Sequence, residues 1–112
     1  MNVHNQRPDW IGFDLDGTFA YYDKWRGDDH IGEPIKPMIE ILKNHLAEGN
    51  PCRIFTARAN NGIEAIYRIQ DWLEEQGLRR LPVTSRKDYG MIMCYDDRCI
   101  QVERNTGKLI HF

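Results

Sequence analysis

The chain has little of what would place it in several large protein classes. With 112 residues there is no room for a second folded domain, and at this size roughly 60–70% of the unfolded surface is buried on folding. Three cysteines, Cys52, Cys94 and Cys99, cannot all pair with one another. Two of them, Cys52 and Cys94, sit in apolar strand-like runs where a thiol acts as a small hydrophobe, so a reduced, cytoplasmic setting is expected. The four histidines fall in no C-x-x-C or H-x-x-x-H spacing, which leaves a zinc site without support. No stretch approaches the roughly 18 uncharged apolar residues of a membrane span. The first ten residues have neither the basic nor the apolar part of a secretory signal. Fifteen basic against seventeen acidic residues give a formal charge of −2, so no basic excess drives non-specific nucleic-acid binding. No repeat or linker interrupts the sequence.

What is present suffices for one packed domain over residues 1–112, with 41% hydrophobic and 11% aromatic residues. Trp10 to Phe13 is a short apolar run that stops at Asp14, Asp16 and Gly17, a buried strand opening into a loop. Pro37 suits the first turn of a helix, and Met38, Leu42, His45 and Leu46 continue it at helical spacing to Gly49. Cys52 to Phe55 reads as a second strand ending at Thr56, and Ile63 to Gln76 as a second helix stopped by Gly77. Leu81 to Thr84 is expected as a short edge strand and Met91 to Tyr95 as a buried one, ending in Asp96 and Asp97. Ile100, Val102 and 109–112 flank the turn cluster 105–107, which predicts a C-terminal β-hairpin. Alternating short strands and helices predict an α/β fold with a mostly parallel central sheet flanked by helices. Ligands of such sheets gather at the carboxyl ends of the strands.

Asp14, Thr56 and Asp96 all stand at such ends. Carboxylates converging there repel by about 1 kcal/mol per pair even in bulk water, so a cation is expected among them. Oxygen-only ligands point to Mg²⁺; the EF-hand spacing of a calcium loop is not met. Asp14 and Asp16 lie two residues apart in a strand-like segment, and Gly17 lets the backbone turn sharply and present amide N–H groups to a phosphate. A carboxylate beside a metal attacks phosphorus directly, and its neighbour two residues on exchanges the proton. Arg58 is a second candidate for phosphate contact because its planar guanidinium grips oxygen pairs; the alternative is a surface residue at a helix entry.

These motifs carry a resemblance. FDLDGT at Phe13 to Thr18 resembles the first signature of the haloacid dehalogenase-like (HAD) phosphatase superfamily, D-x-D-x-[TV] after a hydrophobic strand. IFTAR at Ile54 to Arg58 resembles the second, Lys87 stands for the third, and YDD at Tyr95 to Asp97 resembles the fourth, all in the family's order. The resemblance implies a Rossmann-like HAD fold and a Mg²⁺-dependent phosphatase. Asp14 is then the nucleophile and Asp16 the general acid and base with its backbone carbonyl on the metal. Thr56 holds the phosphoryl group, Lys87 balances charge, and Asp96 with Asp97 holds the metal. Gly17 and Thr18 complete the phosphate-binding turn. Only Ser85 to Gly90 separate the third and fourth strands, roughly 20 Å of chain, too short for a helical crossover. Either the third strand is not regular or the link is an extended loop.

Residues 19–36 hold no sustained period, and eighteen residues make a flap rather than a cap domain. Tyr21, Tyr22, Trp25 and Arg26 in it are candidates for stacking on a base or sugar and meeting phosphate; the alternative is that they pack the flap onto the body. The expected substrate is a phosphorylated small molecule or nucleotide, with a nucleotidase or nucleic-acid end phosphatase as one alternative. A catalytically weak phosphate-binding module is another.

Overall fold

A computed structural model of the protein describes residues 9–111. Strands β1 (Trp10–Phe13), β2 (Cys52–Phe55), β3 (Val83–Thr84) and β4 (Met91–Tyr95) alternate with helices α1 (Lys36–Ala47) and α2 (Ile63–Glu75). All strand pairs are parallel and the order across the sheet is β3-β2-β1-β4. The links β1-α1-β2 and β2-α2-β3 step in the same direction. Right-handed crossovers therefore put both helices on one face.

That face is the core. Ile11 and Phe13 of β1 and Cys52 and Ile54 of β2 meet Ile39 and Leu42 of α1 and Ile69, Trp72 and Leu73 of α2. In α2 the buried residues are Ala65, Ile69, Trp72 and Leu73, the i, i+4, i+7, i+8 stripe of an amphipathic helix. The helix ends where Gly77 takes φ +78° and the Leu78 N–H donates to the Leu73 carbonyl, tucking Leu78 under the last turn.

The opposite face carries no helix among the described residues. Residues 85–90 run back from the end of β3 to the start of β4 as an extended strap, so a regular β3 and a loop link coexist. Asp88 fastens the strap: it accepts from Trp10 Nε1 at 2.8 Å and faces Arg53 Nη1 at 3.7 Å, while Arg53 lies 4.6 Å over the Trp10 ring. The expectation of a buried fourth strand is corrected here. β4 is one of the sheet's two outer strands, no crossover helix among the described residues covers it, and Ile92 is 59% exposed. Cys94 is exposed for the same reason and is not a core thiol, whereas Cys52 is buried. The C-terminal hairpin is reduced to a single antiparallel bridge, Val102 to Leu109, flanked by the Glu103 N–H to Lys108 carbonyl bond of 2.7 Å.

The flap is pinned at its base. Ala20 bridges Pro34, the Tyr21 N–H donates to the Glu33 carbonyl at 2.8 Å, and Phe19 and Ala20 are fully buried. It contains no helix. No helix among the described residues is long and apolar enough to cross a membrane.

Candidate active site

Sheet register builds the acidic cluster. Phe13 of β1 lies opposite Tyr95 of β4, so the residues that follow each strand emerge side by side, and the Asp14 N–H donates to the Tyr95 carbonyl at 2.9 Å. One carboxylate oxygen from each of Asp14, Asp96 and Asp97 lies within 4.8 Å of the others. Thr18 ties the group together. Its Oγ1 is 3.2 Å from Asp14 Oδ2 and 2.9 Å from Asp97 Oδ1, and it accepts from the Asp97 N–H at 2.9 Å. The turn carrying Thr18 needs Gly17, whose φ is +90° and whose place a Cβ would fill 2.7 Å from Asp97 Oδ2.

The electrostatics follow from this crowding. Burial, then the hydrogen bond shared with Asp97, then the charge of Asp96 push the Asp14 carboxyl up to about 7. Asp97 moves the other way. Desolvation is its largest single influence and works upward, but hydrogen bonds with Thr18 and Asp14, its own backbone N–H and the Arg98 charge together outweigh it. Of the two, Asp14 is the easier to protonate.

Asp16 takes a separate position. Its two carboxylate oxygens accept from Arg58 Nε and Nη2, each at 2.8 Å, in a bidentate pair. Arg58 is only 5% exposed, so the reading of it as a surface residue at a helix entry does not hold. Its burial comes from the short 3-10 turn Ala57–Asn61, which Thr56 caps by accepting the Arg58 N–H at 3.1 Å. The guanidinium also lies 4.8 Å from the Trp25 ring centroid, and Asn61 Nδ2 donates to Asp28 Oδ1 at 2.9 Å. These contacts moor the flap to the body.

A cavity of about 530 Å³ opens among these groups, lined by Asp14, Asp16, Thr56, Arg58, Tyr22, Trp25, Asn61, Asp97 and Arg98. Of the residues singled out from sequence, Asp14, Asp96 and Asp97 come together as one oxygen cluster, and Thr56, Arg58 and Trp25 line the cavity with Asp14 and Asp97, while Asp96 lies outside that lining. The Asp16 side chain stays on Arg58, outside that cluster. Tyr21 is 62% exposed and does not line the cavity; Tyr22 does. Lys87 sits exposed on the strap, apart from the cavity lining, and its charge acts on the Cys94 and Cys99 thiols, pulling both down against a net rise due mainly to burial. Asn61 and Arg98 were not anticipated. The one sequence signal for Arg98 is its place directly after the acidic pair.

Fold and site together define a parallel α/β protein, compatible with Rossmann-like architecture, whose acidic groups gather at the carboxyl edge of the sheet. The chain is similar in structure to a conserved protein from Bacteroides thetaiotaomicron, with a TM-score of 0.60 and 22% sequence identity over 82% of this chain and 78% of that one. The likeness is one of fold. No protein-family model and no curated protein sequence matches the chain.

Proposed function

We propose that the protein is a Mg²⁺-dependent phosphomonoester hydrolase of the HAD type, an uncapped enzyme working through an aspartyl-phosphate on Asp14. The observation that carries this reading is the meeting of Asp14, Asp96 and Asp97 at one point, with Thr56 lining the cavity beside them. The donor set is oxygen only. The three oxygens lie within 4.8 Å of one another, near enough for a small hard ion with roughly 2.1 Å bonds to be held among them. A bound divalent cation would offset most of the trio's charge, disfavour protonation of Asp14 and stabilise charge on the transferring group.

The remaining chemistry belongs to the chain's own side chains. An Asp14 oxygen attacks phosphorus while the ester P–O bond breaks, and Asp16 gives the leaving oxygen a proton. Water then attacks the aspartyl-phosphate and returns the proton to Asp16, releasing inorganic phosphate and freeing Asp14. Arg58 occupies two of the roughly four acceptor sites of Asp16 in an ion pair, so the acid step uses a proton first taken up on the free side of the carboxylate, which lines the cavity. Thr56 Oγ1 accepts from the backbone and so keeps its own proton for a phosphoryl oxygen. Positive charge at the cavity comes from Arg58 and Arg98, in the part expected of Lys87.

The test is hydrolysis of a chromogenic phosphate ester with Mg²⁺, with EDTA, and with the Asp14→Asn protein. Activity that needs both the ion and Asp14 is expected. Equal rates in all three refute the assignment, and ion and phosphate binding without any turnover favours a phosphate-binding module instead.

A further inference from the structure

The flap side of the cavity has a feature that phosphate chemistry alone does not require. Trp25 is 52% exposed and contributes nothing to the apolar core, yet its ring is held in place by the buried guanidinium of Arg58. The base of the flap is held independently by Phe19, which is fully buried and meets Trp72 edge-on at 6.1 Å, so the flap does not rest on the Trp25 contact alone. Arg58 cannot drift, because Asp16 fixes it through two hydrogen bonds. The indole is therefore backed by a cation while the residue stays 52% exposed, a platform ordered before a ligand arrives.

We propose that Trp25 is a stacking platform for a nucleobase and that the substrate class is nucleoside monophosphates. The proposal rests on the phosphatase reading for its chemistry, but its binding can be measured separately. Asp14, Thr56, Trp25 and Tyr22 line the same cavity, about 530 Å³ in volume, within the roughly 300–1,000 Å³ of sites that enclose ligands of this size. Base edges carry donors and acceptors, and both find partners here. Asn61 donates its amide to Asp28, which leaves its carbonyl oxygen to accept from an exocyclic amine, and Arg98 supplies donors. A sugar phosphate without a base has nothing to lay on the Trp25 ring.

The experiment compares AMP with ribose 5-phosphate, using the full chain with Mg²⁺ and the Trp25→Ala and Trp25→Phe variants. Stacking on one aromatic side chain is expected to raise kcat/KM for AMP over ribose 5-phosphate by roughly 5- to 150-fold, mainly through KM. Trp25→Ala is expected to collapse that ratio toward one, and Trp25→Phe to keep most of it. Equal kcat/KM for the two esters in the unmodified protein overturns the platform and leaves the phosphatase reading standing. If neither ester is hydrolysed, the phosphatase reading fails and tryptophan emission decides the platform. Quenching by AMP but not by ribose 5-phosphate, lost in Trp25→Phe, supports it, and no quenching by AMP overturns it.

Discussion

Replacing Arg58 with alanine removes the group on which the site and the flap both depend. The side chain is 5% exposed, makes two 2.8 Å bonds to Asp16 and backs the Trp25 ring. Deleting one partner of a fully buried ion pair costs about 3–5 kcal/mol. The Asp16 side chain is 21% exposed and water can reach it, which brings the loss to about 2–3 kcal/mol by solvent screening. The stacking contact with Trp25 adds about 0.5–1 kcal/mol, giving roughly 3 kcal/mol in all. A domain of 112 residues has about 6–17 kcal/mol at roughly 0.05–0.15 per residue, so the variant stays folded at room temperature. At about 4 °C per kcal/mol, its melting temperature falls by about 12 °C. Urea titration and a thermal melt followed by circular dichroism measure this. Arg58→Lys restores only a fraction, because an ammonium cannot make the bidentate contact. A loss below about 1 kcal/mol for Arg58→Ala, or full rescue by lysine, refutes the argument that this pair is a buried structural clamp.

Three further outcomes follow from the acidic cluster and its supports. With no metal bound, burial pushes the Asp14 carboxyl up to about 7 from the usual 3.8, so the folded state holds the extra proton. Stability then declines as pH rises from about 4 to 7 and the deficit is complete above that. In EDTA, Asp14→Asn is expected to melt above the unmodified protein at pH 8, with the gap closing by pH 4; a gap that ignores pH contradicts this origin. Thr18→Val removes the hydroxyl that holds Asp14 and Asp97, and calorimetry is expected to show Mg²⁺ binding weakened about 10- to 100-fold. Unchanged affinity contradicts a supporting role for Thr18. Leu73→Ala, at a fully buried position facing β1 and β2, is expected to cost about 2–5 kcal/mol in urea titration, and a loss under 1 kcal/mol contradicts the placement of the core.

Periodicity made most of the framework legible. The apolar runs at Trp10–Phe13 and Cys52–Phe55 and the stripe Ala65, Ile69, Trp72, Leu73 each belong to an element that buries one face, and burial writes itself into local spacing. The carboxyl-edge cluster was legible for a related reason. An apolar strand that stops at a carboxylate sets that carboxylate at the sheet's edge, and adjacent strands β1 and β4 then bring Asp14 and Asp96 side by side.

What stayed hidden depends on topology or on distant partners. Met91–Tyr95 is as apolar as a central strand, and nothing in its composition says that no helix covers it. Lys87 falls on the strap that replaces that helix, which keeps it away from the cavity lining. The partner of the buried Arg58 is Asp16, 42 positions away in the sequence, a pairing that no local pattern announces. Within the flap, Tyr21 engages Glu33 through its backbone and turns its side chain to solvent, while its neighbour Tyr22 lines the cavity. A loop without periodicity gives no means of choosing between adjacent residues.

The central claim is that Asp14 takes the phosphoryl group with a divalent ion held beside it. Rapid acid quench of the protein with Mg²⁺ and a radiolabelled phosphate ester, followed by peptide mapping, tests it most directly. The account requires a hydroxylamine-labile label on the peptide containing Asp14, absent with EDTA and absent from Asp14→Asn. Turnover of the ester with no label on that peptide, or label that survives loss of Asp14, contradicts it.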